Sequence, residues 1–571
     1  MRRIARAARA IAPGMLMVLP AGAAVWETSV RNSWATLGRD QGIFQYIAWA
    51  VARGDVLYRD VRDVNGPLVA LLHRIGLALG GGDEHRFRVL DLVVTALAAA
   101  FAGGCLAALD ERAKGGWERV LRELSLGAAA WAVLSAQYLA YGWWDTGQRE
   151  SFFDWFVLAS VGLQIVGQSL LRADTITPRR RRAGSVLLAL GGAFSVMPWF
   201  GKPTFVFFTV GQALALTYDD LVIGRARRVA LVAIGGLLGG LVPVSFLLLR
   251  GDPRAWARIT FVDVPAMYRF IWPRSIGEIL EFPGHARSAG LAVLASLGVA
   301  IMVATKIMPR RALVLAVMPL AGLASVAIQA KGFHYHFHPA SAGASLALVA
   351  IVHQAWTRAE RSSRVLGVLA AGAFAISVGA RAAFIARAEY YPEPPAQRDP
   401  ESLASEERLD PYRRVDFFPK GLRDAAAHVA SHTVETDTVQ TYGMDPYFLF
   451  LARRRSATPY IYAYDLDADA ALAGGMDEGV SPTAAQARVI RRMRDEHERD
   501  LLARLRAAPP AAFVLIDRSP LLRSWDAERD FEEHCPTTFD WVRPRYIESA
   551  SFEGIHVWLR LETTLPAASG D

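Results

Sequence analysis

Up to about residue 385 the apolar residues come in long runs, and beyond it they come in short runs broken by charge. A membrane-crossing helix needs about 20 mostly apolar residues. Eleven stretches qualify as candidates, at about 11–30, 88–109, 124–142, 152–171, 184–200, 204–218, 229–249, 289–306, 312–330, 339–356 and 365–380. The fifth and sixth are divided only by Gly201, Lys202 and Pro203. After a Pro- and charge-rich linker at 386–410 the pattern changes period. Thr438–Tyr442, 460–464 and Ala512–Ile516 predict strands, 481–507 a helix rich in arginine, and 545–562 a terminal hairpin. The expected fold class is an α-helical polytopic membrane protein of about 11 transmembrane helices over 1–385, followed by a small α/β soluble domain over 411–571.

Composition and charge sharpen that picture. With 53% hydrophobic residues in 571, the chain is too apolar for an ordinary soluble enzyme. Basic residues sort the loops: Arg2, Arg3, Arg6 and Arg9, then Arg112, Lys114, Arg119 and Arg122, then Arg179 to Arg182, and the later groups at 225–228, 306–311 and 358–364, are predicted to be cytoplasmic. The opposite set is predicted to face outward: Asp40, the 143–150 turn, Lys202, the 250–288 loop, Lys331 and everything after about 385. The net charge of +8 follows from the cytoplasmic loops and requires no nucleic acid. The first residues, MRRIARAARA and the apolar run after them, read as an uncleaved anchor, with a cleavable signal peptide as the alternative. Either reading leaves Asp40 outside. Cys105 and Cys535 have no metal-ligand spacing, and the tail contains no glycine-rich nucleotide loop.

The outward loops collect the ionisable residues. Acids stand at Asp40, Asp60, Asp63 and Asp145, and cations at Arg149, Lys202 and Lys331. The 63 cations comprise 58 arginines and only five lysines, so two lysines at predicted outer boundaries suggest a need for a compact point charge. The alternative is that both snorkel to lipid headgroups. Asp40 has a second reading as the cap of a helix starting at Gln41. Asp60 and Asp63 have one as braces for Arg59 and Arg62. Asp145, Arg149 and Glu150 have one as a surface ion cluster of little energetic weight. His334, His336 and His338 alternate; on an extended segment they would point one way and could hold a metal, hydrogen bond to a sugar or phosphate, or serve an interfacial structural role. Aromatics among arginines in 250–288 suit an amphipathic segment lying on the membrane as a lid.

Taken in order, D-Q-G-x-F-x-Y with G-x-x-x-Y-R-D-x-x-D-x-x-G-P-L (40–68), G-Q-R-E-S-F (147–152), G-K-P-T-F (201–205) and K-G-F-H-Y-H-F-H-P (331–339) resemble the bacterial branch of the GT-C glycosyltransferases. That branch is similar to the protein O-mannosyltransferase, lipid A aminoarabinose transferase and lipopolysaccharide galacturonosyltransferase families. The resemblance covers about 1–385, with 31–87 as the catalytic outward loop. It implies inverting transfer of a sugar from a polyprenyl-phosphate-linked donor to a lipid, glycan or protein acceptor at the outer face of the bacterial cytoplasmic membrane. Asp40 would be the general base. Arg149, Lys202 and Lys331, with Asp145, Glu150, His334 and His336, would meet the donor phosphate or sugar, and Tyr58, Asp60 and Asp63 would support the loop. No cofactor is expected; a divalent metal is kept as an alternative. Where the mannosyltransferases carry Asp-Glu this chain has Asp40-Gln41, which argues against protein mannosylation in particular. A transporter or a non-catalytic envelope scaffold are the other classes. The first would be expected to show internal repeats, and the second leaves the motif loops unexplained.

Overall fold

A computed structural model of the chain describes residues 2–561 apart from 111–115, 173–176, 220, 359–360, 388–390, 392–393, 396–401, 403–404, 473–480 and 521–524. Arg112 and Lys114, used above to orient a loop, and parts of the 386–410 linker lie outside the described residues. Two compact units form: residues 1–35, 83–244 and 275–394 in the first, and 36–82, 245–274 and 395–571 in the second.

The first unit is helical, and each of the eleven apolar stretches falls on a helix. Among the described residues, seven helical segments are long and apolar enough to cross a membrane: Ile11–Ser33, Glu84–Leu109, Arg149–Leu170, Pro178–Phe200, Arg225–Arg250, Pro283–Ala304 and Arg310–Gln329. Two of the other four stretches differ for physical reasons. Val206–Thr217 has 12 residues, which at about 1.5 Å each falls well short of a hydrocarbon core of about 30 Å. Trp117–Leu139 opens with Glu118, Arg119, Arg122 and Glu123.

Small residues let helix backbones meet. A methyl group on Gly235 or Gly239 would run into the backbone of Ala189 or Ala193, and one on Gly192 into that of Val232. The helices Pro178–Val196 and Arg225–Arg250 thus pack by small residues at four-residue spacing, the means by which helices associate in lipid. The first of them ends in the 3-10 turn Met197–Phe200, and a second turn, Pro203–Phe205, starts after a break. Proline disfavours helical geometry at the residue before it. Lys202 accordingly is extended, at φ −149° and ψ 112°.

The second unit is built on a five-stranded mixed sheet: β1 Thr438–Tyr442, β2 Arg455–Ser456, β3 Ala512–Ile516, β4 Tyr546–Phe552 and β5 Ile555–Arg560, in the order β2-β1-β3-β5-β4. β1 runs parallel to both neighbours, with Val439 opposite Ala512, and β5 is antiparallel to β3 and β4. All five residues of β3 are buried, as a central strand covered on both faces requires. Glu553 and Gly554 join β4 to β5 with φ of 51° and 82°, the pair of positive angles that matches the twist of a tight hairpin. Tyr442, Phe513, Leu515, Phe531 and Trp558 form the core between sheet and helices.

The strand expected at 460–464 is not one. Gln440 Nε2 donates to Tyr460 O and Thr441 Oγ1 to Ile461 O, so side chains of β1 satisfy carbonyls that a ladder would have used, and the chain turns at Ala463–Asp465. Within 245–274 the expected amphipathic lid is a series of short helical turns, Pro253–Arg258, Ile259–Asp263, Val264–Ala266 and Tyr268–Phe270, with Phe261 and Val262 exposed.

Candidate functional site

In the first unit, the 143–147 turn sets the start of the helix Arg149–Leu170. Buried Arg88 donates to Thr146 O at 3.1 Å, and the Tyr138 hydroxyl accepts the Gly147 N–H at 2.5 Å while donating to Asp91 at 2.5 Å. The helix so fixed carries Arg149 and Glu150 in its first turn, both buried. Arg149 Nε donates to Glu150 at 3.3 Å, and its terminal nitrogen to the Tyr335 hydroxyl at 3.1 Å. Lys202, held out by the helix break, forms an ion pair with Glu150. A surface ion cluster is one of the two readings of Arg149 and Glu150 in the sequence; instead Glu150 is completely buried, where an unpaired charge would cost several kcal/mol.

The loop 331–338 closes the same cluster. His336 Nε2 lies 3.2 Å from Lys202 Nζ and 3.6 Å from Glu150. An ammonium only donates, so Nε2 accepts and Nδ1 carries the hydrogen. That Nδ1 is buried and meets no hydrogen-bond partner among the described residues. Burial, then the charges of Lys202, Arg149 and Lys331, hold the His336 imidazole well below its usual range, and it stays neutral. Burial also pulls Lys331 down to about 8. Two cations therefore meet one carboxylate near the first turn of a 22-residue helix, whose free N–H groups and dipole favour an anion, and Lys331 acts on His336 beside them.

The alternating histidines do not act together. His334–Phe337 is a 3-10 turn rather than an extended segment, so the rings diverge. His334 Nδ1 pairs with His285 Nε2 at 3.0 Å, His336 faces Lys202, and His338 Nε2 reaches the Asp145 carbonyl at 2.7 Å. Asp145 is buried in the turn, so it and His334 stand beside the cluster in different roles. Asp154, missed in the sequence, lies one turn beyond Glu150, and its Oδ1 is buried without a hydrogen-bond partner among the described residues. Its signal was there: an acid inside an apolar stretch, four residues from another acid. Tyr335 was missed as well, because nothing in the sequence ties a tyrosine to an arginine 186 residues away.

Asp40 belongs to the second unit. The helix Arg39–Ala52 starts two residues earlier than expected, with Gly38 at the N-cap, so Asp40 is its second residue and not its cap. Gln41 Oε1 accepts the Gly38 N–H instead, at 2.5 Å. Arg39 grips Asp445 just after β1 through two hydrogen bonds of 2.8 and 3.2 Å, and the Tyr46 hydroxyl accepts Ser456 N–H at 2.7 Å. The helix bearing Asp40 is thereby anchored to the sheet, and Asp40 itself is half-exposed.

The loop that follows is tightly braced. Tyr58 is buried at φ 73°, an angle costly for a bulky side chain, and donates from its hydroxyl to Asn65 O at 2.7 Å. Asp60 accepts from Arg59 at 2.8 and 2.9 Å and from the Val56 N–H at 2.8 Å. Burial raises its pKa, but these bonds outweigh it and the carboxyl is held below its ordinary value. Asp63 accepts from both nitrogens of Asn65, and Arg62 bridges Asp263 and Asp465 at 2.9 Å each.

Neither a protein-family model nor a curated protein matches the sequence. Solved structures do match. Similarity extends over 96% of this chain and 99% of ArnT from Cupriavidus metallidurans, a structure bound to undecaprenyl phosphate, at 14% identity and a TM-score of 0.51. The archaeal oligosaccharyltransferase AglB from Archaeoglobus fulgidus, in complex with an inhibitory peptide and a dolichol-phosphate, matches over 99% of this chain and 75% of its own, at 9% identity and a TM-score of 0.47. The likeness to ArnT over nearly the whole of both chains shows that the two share a fold.

Proposed function

We propose, on the premise of the GT-C fold, that this multi-pass membrane protein is a glycosyltransferase that moves a sugar from a polyprenyl-phosphate-linked donor to a hydroxyl acceptor at the outer face of the cytoplasmic membrane, with inversion. The observation that carries the reading is the convergence of Arg149 and Lys202 on one carboxylate, beside an imidazole that also feels the charge of Lys331 and whose N–H has no partner among the described residues. Such a cluster suits a lipid phosphate. In ArnT the bound molecule is undecaprenyl phosphate.

In this mechanism the acceptor oxygen attacks the anomeric carbon while the bond from that carbon to the phosphate oxygen breaks. The bonding pair leaves with polyprenyl phosphate, and the acceptor proton passes to Asp40 as general base. Negative charge grows on the leaving phosphate, and Lys202 and Arg149, preplaced near a helix N-terminus, stabilise it. Lys331 adds a third positive charge and His336 an N–H donor to phosphate or sugar. Glu150 keeps the two nearest cations in position between turnovers. Tyr58, Asp60 and Asp63 hold the loop that follows Asp40.

Asp40→Asn tests the assignment, since it removes the base and keeps the shape. With membrane-extracted lipid-linked sugar as donor, the variant is expected to lose about 10²- to 10⁴-fold in turnover and to bind donor lipid as before. Undiminished turnover would overturn Asp40 as base. Absence of any transfer by the wild type, with unchanged lipid content, would favour a scaffold.

A further inference from the structure

Away from these residues, the second unit gathers a second set of ionisable groups. The helix Ala527–His534 carries Asp530 and His534 four residues apart, hence on one face. The segment following the Ala463–Asp465 turn brings Asp467 and Asp469 to that face. His534 Nε2 lies 3.7 Å from Asp467 Oδ1, 3.7 Å from Asp530 Oδ1 and 3.5 Å from Asp469 Oδ2. These distances exceed a hydrogen bond of about 2.7–3.2 Å. They approach the separation of roughly 3.4 Å between neighbouring ligands of a tetrahedral ion with bonds of about 2.0–2.1 Å.

Burial makes the arrangement demanding. Asp467, Asp530 and His534 are 0%, 2% and 5% exposed. Asp467 Oδ1 accepts the Asp469 N–H at 2.7 Å, but Oδ2 is buried with no hydrogen-bond partner among the described residues, a costly state for a carboxylate oxygen. The Tyr442 hydroxyl donates to Asp530 Oδ2 at 2.8 Å, the kind of outer hydrogen bond that orients a metal-binding carboxylate. Desolvation, joined for Asp467 by the neighbouring Asp530, pushes both carboxyls up, Asp530 to about 6. Among the described residues the ion-pair partner of all three aspartates is His534, and no lysine or arginine pairs with them.

We propose that Asp467, Asp530 and His534 form a divalent-metal site, with Asp469 on its more open side, and that its ion is zinc. One imidazole nitrogen with carboxylate oxygens in a four-ligand set suits that ion. The site joins the 465–469 segment to the helix Ala527–His534. It thereby steadies Asp465, which holds Arg62 together with Asp263. The role is structural, and it is independent of the reading of Lys202 and Asp40.

The test uses the full-length, tag-free protein in detergent, stripped with EDTA, reloaded with zinc chloride and desalted. Elemental analysis should find one zinc per chain, and Asp467→Asn and His534→Gln should each weaken zinc binding at least tenfold while remaining monodisperse. A wild type that retains no zinc overturns the proposal, and so do variants that retain as much as the wild type. Should the variants unfold, X-ray absorption on zinc-loaded wild type decides. One imidazole shell with oxygen ligands supports the site; sulfur ligation or an all-histidine shell overturns it.

Discussion

Lys202 and Lys331 stood out in the sequence because the chain otherwise writes its cations as arginine. Both are drawn into one cluster through His336. What the sequence could not disclose was that Glu150, the counter-charge of Arg149, is buried and shared with Lys202. Glu150 reads like any acid at a helix start, and its complete burial follows from packing against 331–338, some 180 residues on. The histidines misled for a related reason: period two implies a common face only if the backbone is extended, and a 3-10 turn sends each ring elsewhere. One consequence at this scale is a pH dependence. Lys331 loses its proton near 8, so affinity for polyprenyl phosphate should fall as pH rises from about 7 to about 9, by roughly tenfold or more if one charge-assisted hydrogen bond is lost. Lys331→Arg, charged throughout, should flatten that profile in a lipid-binding titration. An unchanged profile in Lys331→Arg would show that another group titrates.

Elements were legible in proportion to how far local pattern decides them. The apolar stretches became helices, and Thr438–Tyr442, Ala512–Ile516 and the terminal hairpin became strands, because hydrophobic period and turn chemistry agree there. The stretch at 460–464 failed because Gln440 and Thr441 supply hydrogen bonds that no local pattern encodes. Helix pairing was also hidden, although its means are visible afterwards in Gly192, Gly235 and Gly239. Because Ala189 backbone occupies the space beside Gly235, Gly235→Leu should force apart Pro178–Val196 and Arg225–Arg250. A thermal-unfolding midpoint well below that of wild type is expected, consistent with an overpacking cost of about 1–3 kcal/mol or more. A midpoint equal to wild type would mean that these helices do not rely on close backbone approach.

For the whole molecule, the order of four weak motifs carried more than any one of them. It pointed to the fold that the likeness to ArnT bears out at 14% identity. Fold alone does not name a reaction; the cation cluster gives the account its chemistry. The measurement that tests it most directly is native mass spectrometry of the purified protein beside Lys202→Ala, with polyprenyl phosphate supplied. One bound polyprenyl phosphate, or its sugar conjugate, is expected on the wild type. Binding is expected to be weaker by about 10- to 150-fold in the variant, the value of one charge-assisted hydrogen bond of about 1.5–3 kcal/mol. No bound lipid on the wild type, or equal binding by both proteins, would contradict the account.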